Sequence, residues 1–421
     1  MKRNSLVKHT STNNICFILL MVFVWSDSIL MRYVRVFLMK LPIIWPHTDM
    51  ILSFLYVSVF LLAITVAYKE LYVKDLAILL FFYGVFYLHD FLYPYNDLYY
   101  NKLGGIVTKD VFPMFLVGIC VYRIDRQKVL KVLNTISLIT VIFYSLYKMM
   151  FHAVDAATLK VGDMNSAYAI LPHLCIVFAA MMRKTTPWNI GSFALGALLL
   201  LFLGNRGSLL CLGTFVIFVI LFSGRLKRPV LFLVVSIVIM LALFAFGLLD
   251  FLYEMADELG FSLRIFKKIQ SGEITYTSGR DKISRRVWEY IKMYPLMGLG
   301  IFSDRRVAGG NYAHNIVLEI LINYGVVIGL LFLGLILYIF TVAFVYMRNN
   351  KDYISLDFFT SVFFAYCFKL ILSNSYLLEP YFFFTIGFAY AAFKEQGGLS
   401  IPRLYRVPVK KSLEGRKNYG K

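Results

Sequence analysis

The sequence predicts an all-α polytopic membrane protein of about twelve transmembrane helices, each the roughly 20 residues that a bilayer core requires. Three observations carry that prediction. Hydrophobic residues fill 60% of the 421 positions and charged residues only 16%, whereas a soluble chain carries about 25% charged residues. The apolar residues come in near-continuous blocks such as 230–249 and 326–347, not in the spaced pattern of a surface helix. The Lys and Arg residues fall in the short gaps between these blocks and in the tail, which is the pattern of membrane topology.

The spans expected from these blocks fall near 14–31, 50–67, 76–92, 108–122, 132–148, 166–182, 189–204, 207–223, 230–249, 314–346, 354–374 and 380–393. The first follows Lys2, Arg3 and Lys8 and resembles a signal-peptide core, but no small-residue cleavage site follows it, so a retained helix is expected. The segment 314–346 is too long for one crossing; it is expected to start as an interfacial helix, turn near Gly325 and then cross. Tyr93, Tyr95, Tyr99 and Tyr100 fit an interfacial belt. Placing both termini in the cytoplasm gathers the basic tail and the loop with Arg123, Arg126, Lys128 and Lys131 on the inner side, as the positive-inside rule asks. The whole chain, 1–421, reads as one membrane domain, with 394–421 a basic cytoplasmic tail.

The net charge of +19 does not form one basic face, so a nucleic-acid partner is not expected. Cys16, Cys120, Cys175, Cys211 and Cys367 all lie in apolar runs, with neither paired nor metal-ligand spacing, and read as buried thiols. No metal and no cofactor is implied.

One connection stands apart. Residues 250–312 are polar, carry ten Lys and Arg against eight Asp and Glu, and fall outside the cytoplasm in this topology. A connection of that length in a compact chain is usually functional or disordered. Phe261, Leu263, Ile265, Phe266, Val287, Trp288, Tyr290 and Ile291 supply enough apolar surface for a folded, partly helical lid.

The densest set of chemically capable residues runs from Thr277 to Gly329. In order come Thr277-Ser278-Gly279-Arg280, Trp288, Pro295, Gly298-Leu299-Gly300, Ala313-His314-Asn315, Leu318-Glu319, Gly325 and Gly329. Upstream, Asn205-Arg206-Gly207-Ser208 closes the seventh span, and Gly162-Asp163-Met164-Asn165 precedes the sixth. This order, over roughly residues 160–346, resembles the O-antigen polymerase and ligase family. In that family an Arg-bearing outer loop leads through a Gly-x-Gly turn to a His-Asn-x-x-Leu-Glu-like helix and a glycine-bearing span.

The resemblance implies a multi-span glycosyltransferase fold of the GT-C type with a lid on the outer face of a bacterial cytoplasmic membrane. It implies transfer from an undecaprenyl-pyrophosphate-linked glycan, with inversion at the anomeric centre, and membrane lipid and a chain-length regulator protein as partners. The residue chemistry agrees. Arg206 and Arg280 are permanent cations suited to a pyrophosphate leaving group. His314 titrates near neutrality and can take a proton from an attacking sugar hydroxyl. Asn315 and Glu319 are four apart, so they share a helix face and can bind sugar hydroxyls or orient a partner; Asn165 and Trp288 complete the candidate substrate contacts. No Asp-x-Asp motif for a metal-bound nucleotide sugar occurs.

Taken singly, each residue has a plainer account. Arg206 can be an interfacial anchor, Arg280 a solvated charge, Asn315 a helix cap, and Gly325 with Gly329 a close-packing pair. Polymerase and ligase share the donor chemistry, and these motifs do not separate them. Asp27, His89, Asp90, Asp110, His173, Lys369 and Glu379 lie in or near spans, where charge is costly and often functional. They motivate a rival reading as an ion-coupled transporter or flippase, against which stands the absence of a repeated half. Asp90 and Glu379 read as solvated span ends, and Lys369 as either paired with an acid or lining a groove.

Overall fold

The computed structural model describes residues 71–123, 126–158, 163–222 and 279–395, with scattered positions between 47 and 61. The expected spans 14–31 and 230–249, most of 50–67, Cys16, Asp27, the apolar set 261–266 and the tail beyond 395 lie outside the described residues.

Among the described residues every regular element is helical. They are α1 (Val73–Leu92), α2 (Asp97–Ile106), α3 (Met114–Arg123), α4 (Arg126–Thr158), α5 (Asp163–Arg183), α6 (Pro187–Phe202) and α7 (Arg206–Phe222). After the undescribed stretch come α8 (Arg280–Met293), α9 (Ser303–Val307), α10 (Ile316–Tyr324), α11 (Val326–Asn349), α12 (Tyr353–Val362), α13 (Lys369–Leu372) and α14 (Pro380–Glu395). Among the described residues six stretches are long and apolar enough to cross a membrane: Val73–Leu92, Pro94–Arg123, Lys131–Met150, Met164–Arg183, Val326–Asn349 and Tyr353–Leu372. Pro187–Phe202 and Arg206–Phe222 are shorter apolar helices. Most of these ranges meet the expected spans within a few residues, but Pro94–Arg123 begins well before the expected 108–122, and the helix at the expected 380–393 is not among the six. The chain is a multi-pass membrane protein.

Two stretches are wider than an α-helix. Val107–Val111 joins α2 to α3, and Phe363–Phe368 joins α12 to α13, each through a π-type turn. Such turns cluster at functional positions, and the second delivers Lys369 directly.

The tightest crossing in the bundle is that of α3 with α14. A Cβ added at Gly118 would come 2.0 Å from the Phe384 carbonyl oxygen, and one at Gly387 would come 1.9 Å from that of Phe115. The two glycines therefore let the backbones touch, in the manner of small-residue packing in lipid. Tyr122, Phe358, Phe384 and Phe388 fill the surrounding core.

Ion pairs mark one edge of the bundle. Asp75 accepts from Arg123 at 2.7 Å and from Lys394 at 3.3 Å, joining the start of α1 to the ends of α3 and α14. Arg183 at the end of α5 meets Asp357 at 2.5 Å and the Tyr353 carbonyl at 3.2 Å. These pairs lie at the start of α1, the ends of α3, α5 and α14 and the start of α12.

The long segment 314–346 does divide at Gly325, as its length requires. Gly325 has φ of 80°, and a Cβ there would meet the Leu296 carbonyl oxygen at 2.3 Å. Only glycine satisfies both constraints. The described part of the long connection is folded and partly helical: Val287 and Ile291 of α8 pack with Leu299, Val307, Leu321 and Ile322 in a small core of their own. Asn96 reinforces it by donating to the Leu299 and Ile301 carbonyls. Cys120, Cys175, Cys211 and Cys367 are buried free thiols, as their apolar settings predict.

Candidate functional site

At the edge opposite the Asp75 ion pairs, four helix starts converge around Tyr168. The first is α5, which carries Met164, Asn165 and Tyr168 in its opening turns. The second is α7, whose first turn is capped by Asn205: the Ser208 N–H donates to Asn205 Oδ1 at 2.9 Å. Gly207 follows Arg206 and clears the way for Tyr168, because a Cβ there would lie 2.1 Å from the Tyr168 hydroxyl. The third is α8, entered through Gly279 at φ of 82°, a left-handed position suited to glycine. The fourth is α10, capped by Asn315. Helix N-termini present free N–H groups and partial positive charge, so this edge favours an anion before any side chain is counted.

Arg280 is the first residue of α8. Its Nη1 donates to the Leu372 carbonyl at 2.8 Å, and its Nη2 points at the Met164 sulfur at 3.8 Å. The end of α13 is thereby pinned to the start of α5, and Arg280 lies within electrostatic reach of both Tyr168 and His314.

His314 sits on the strap between α9 and α10 with φ of 57°, a left-handed position uncommon for a residue with a side chain. Its ring packs on Tyr312 with centroids 4.1 Å apart, and its buried Nδ1 has no hydrogen-bond partner among the described residues. Burial, helped by the Arg280 charge, pulls its pKa down to about 4. His314 is therefore a neutral imidazole at physiological pH, the form that can accept a proton.

Lys369 approaches Tyr168 from the bundle side. Its ammonium lies 5.3 Å from the ring centroids of both Tyr168 and Tyr366 and is paired with Glu379. Asn374, itself at φ of 71°, donates to the same Glu379 oxygen at 2.8 Å. Lys369 is thus paired with an acid, one of the two alternatives the sequence leaves open. Glu379 is not a solvated span end but a buried carboxylate, because the turn after α13 folds it back onto Lys369.

Asn315 is the N-cap of α10 rather than a residue on its face, and both it and Glu319 pack on the end of α13 and the turn after it. Asn315 caps its helix by accepting from the Val317 and Leu318 N–H groups at 2.9 and 3.3 Å. Its amide nitrogen donates to the Ile371 carbonyl at 3.2 Å. Glu319 is fully buried; it accepts from Ser375 Oγ, from the Tyr376 N–H at 3.2 Å and from Arg305 at 3.4 Å. Burial and the Asp304 carboxylate raise its pKa against the pull of Arg305. Arg305 also donates to Asp304 at 2.8 Å and to Ser375 Oγ at 2.7 Å. This buried clamp ties α9, α10 and the 373–376 turn into one unit beneath His314 and Leu372.

The candidate residues thus divide. Arg280 and His314 come together with Tyr168, and Arg206 stands beside Gly207 at the same edge. Asn165 is exposed one turn before Tyr168. Trp288 lies on α8, about 12 Å along the axis from Arg280, half-exposed with Lys292 6.0 Å over its ring. Tyr168, Tyr312 and Arg305 are missed by sequence reasoning, and Glu379 is named there only as a solvated span end. Asp304-Arg305, which follows the Gly-x-Gly turn in the sequence, is the one legible signal among them, since an acid and a base side by side can pair.

These features define a class: a multi-pass helical membrane protein with a cationic, histidine-bearing cluster at one membrane edge. Residues 191–333 match the family model described as O-Antigen ligase. That stretch overlaps the residues whose motifs resemble the O-antigen polymerase and ligase family, and the match supports a function of the polymerase or ligase type. The matched residues include Arg206, Arg280, His314 and the Asp304, Arg305 and Glu319 members of the clamp, whereas Asn165, Tyr168, Lys369, Ser375 and Glu379 lie outside them. No curated protein and no solved structure matches the chain.

Proposed function

We propose that this protein joins undecaprenyl-pyrophosphate-linked oligosaccharide repeat units into a surface polysaccharide by metal-independent glycosyl transfer. The observation that carries the proposal is the pairing of Arg280 with a neutral His314 at an edge where four helix starts converge. The cations and helix N-termini take the pyrophosphate, whose negative charge grows as the glycosidic C1–O bond breaks. The acceptor sugar hydroxyl attacks C1 as His314 removes its proton, so a new C1–O bond replaces the old one and the lipid pyrophosphate leaves. Arg206 contributes a second cation from the start of α7. Glu319 and Asn315 act in this scheme by holding the 371–376 turn in place, and Asn165 and Trp288 flank the entry for sugar. The multi-span GT-C architecture, the cytoplasmic termini and the outer location of the site belong to the same proposal.

A second reading is supported by the description of the matched family model: a ligase that passes a finished glycan to a lipid A core or another acceptor. Purified protein in nanodiscs, supplied with undecaprenyl-pyrophosphate oligosaccharide, separates the two. A ladder of longer lipid-linked glycans that vanishes in His314→Ala is the expected result. Transfer only after a lipid A core is added identifies the ligase. Substrate crossing the bilayer with no new bond overturns both readings in favour of a transporter.

A further inference from the structure

Beyond the reaction site, the turn that follows α8 exposes apolar side chains beside the ends of two helices apolar enough to cross a membrane. Met293, Tyr294, Leu296 and Met297 are all exposed, Leu296 and Met297 each at 71%. Both flanks of this turn are fixed to the ends of membrane-crossing helices. On one flank the Tyr93 hydroxyl, just past the end of α1, donates to the Met297 carbonyl at 3.1 Å. On the other, the Val326 N–H that opens α11 donates to the Pro295 carbonyl at 2.6 Å. Gly298 and Gly325 allow that approach, since a Cβ at Gly298 would lie 2.5 Å from the Gly325 nitrogen.

The apolar surface is continuous across these junctions. Phe91 and Leu92 at the end of α1, and Val327, Ile328 and Leu331 at the start of α11, are exposed on helices apolar enough to cross a membrane. The turn therefore extends the lipid-facing surface of two spans rather than interrupting it. Above it, α8 exposes Lys282, Arg285, Arg286 and Lys292, with Asp281 and Glu289 as its acids. A basic helix carrying an apolar end matches an interfacial element, whose cations meet anionic headgroups and whose apolar residues reach the acyl boundary.

We infer that Met293–Met297 is a membrane-seated wedge, with α8 lying along the anionic lipid surface on the side of the candidate site. The wedge fixes one end of α8 to the bilayer. Its other end, about 20 Å away along the axis, carries Arg280. The height of Arg280 above the lipid plane is then set by the bilayer as well as by the protein.

The test is a collision-accessibility measurement on spin-labelled protein in nanodiscs containing phosphatidylglycerol. Labels are attached at Met297→Cys and, for comparison, at Glu289→Cys on the exposed face of α8. Expected is a label at 297 relaxed more by oxygen than by a water-soluble nickel chelate, and the reverse at 289. Equal preference for the nickel chelate at both sites places the turn in water and overturns the inference. Poor access of both reagents at 297 shows that protein covers the turn, and overturns it too. If labelling disturbs folding, quenching of an added Met297→Trp by brominated lipid reads the same property in the otherwise unchanged chain.

Discussion

At the scale of single residues, His314 shows how a short motif becomes chemistry. Its left-handed backbone is a conformation that costs a non-glycine residue of order 1–3 kcal/mol, and the Asp304 and Asn315 contacts on either side hold it there. Since folding lowers its pKa from 6.5 to about 4, protonating His314 opposes the folded state. Its penalty is absent above pH 6.5 and grows as the pH falls toward 4. Histidine modification by diethylpyrocarbonate, mapped to His314 by mass spectrometry, is expected to persist well below pH 6 and to fail near pH 4. In Arg280→Ala that loss is expected at higher pH, because a neighbouring positive charge is removed; an unchanged profile would separate the two residues. Arg280→Lys is expected to lose most transfer activity, since an ammonium cannot span the Leu372 carbonyl and a phosphate at once. Full activity from the lysine variant would reduce Arg280 to a simple charge.

The same scale shows what the sequence can disclose. Arg280 and His314 stand in an ordered motif, and their types already fit pyrophosphate and proton transfer. Tyr168 could not be singled out, because a tyrosine in an apolar helix is ordinary and its importance arises only when Gly207 of another helix lets its hydroxyl through. Lys369 drew attention as a charge inside a span, but its partner ten positions later is brought back by the turn at Asn374, whose left-handed backbone no spacing rule predicts.

Among the elements, the buried clamp of Arg305, Asp304, Glu319 and Ser375 joins α10 to the turn after α13. Removing one partner of a buried charge pair typically costs about 3–5 kcal/mol. Arg305→Met is therefore expected to lower the thermal unfolding temperature in detergent and to reduce transfer with it. A variant with unchanged stability would show that the clamp holds nothing. The α3–α14 crossing makes a sharper contrast. Gly387→Ala forces two backbones apart and is expected to destabilise by about 1–3 kcal/mol, as overpacking does. Gly213→Ala on α7, where nothing lies within 4 Å of the added Cβ, is expected to hold stability or raise it by up to about 1 kcal/mol through helix propensity. Equal effects would mean that helix propensity, not contact, governs both. The helices themselves were legible from hydropathy, down to the division at Gly325. The π-type turns were not, because a one-residue widening leaves no trace in a hydropathy pattern.

For the whole molecule, the ion pairs of Asp75 and Arg183 mark one edge and the Tyr168 cluster the other, so every site residue carried by Arg206, Arg280 or His314 shares a side. Cysteines introduced at the exposed Lys282 and Lys351 are expected to react with an impermeant reagent from opposite sides, the former from outside the cytoplasm. Labelling of both from one side would break the topology and the site with it. Which edge faces the cytoplasm was inferred from the distribution of Lys and Arg, a statistical signal that helix packing does not carry.

The most direct measurement of the account is donor binding and single-turnover transfer recorded side by side for wild type, Arg280→Ala and His314→Gln in nanodiscs. Arg280→Ala is expected to bind the undecaprenyl-pyrophosphate donor weakly. His314→Gln is expected to bind it like wild type and to transfer roughly 10²–10⁴-fold more slowly, the usual share of a general base. Wild-type transfer by His314→Gln, or undiminished donor affinity in Arg280→Ala, would contradict it.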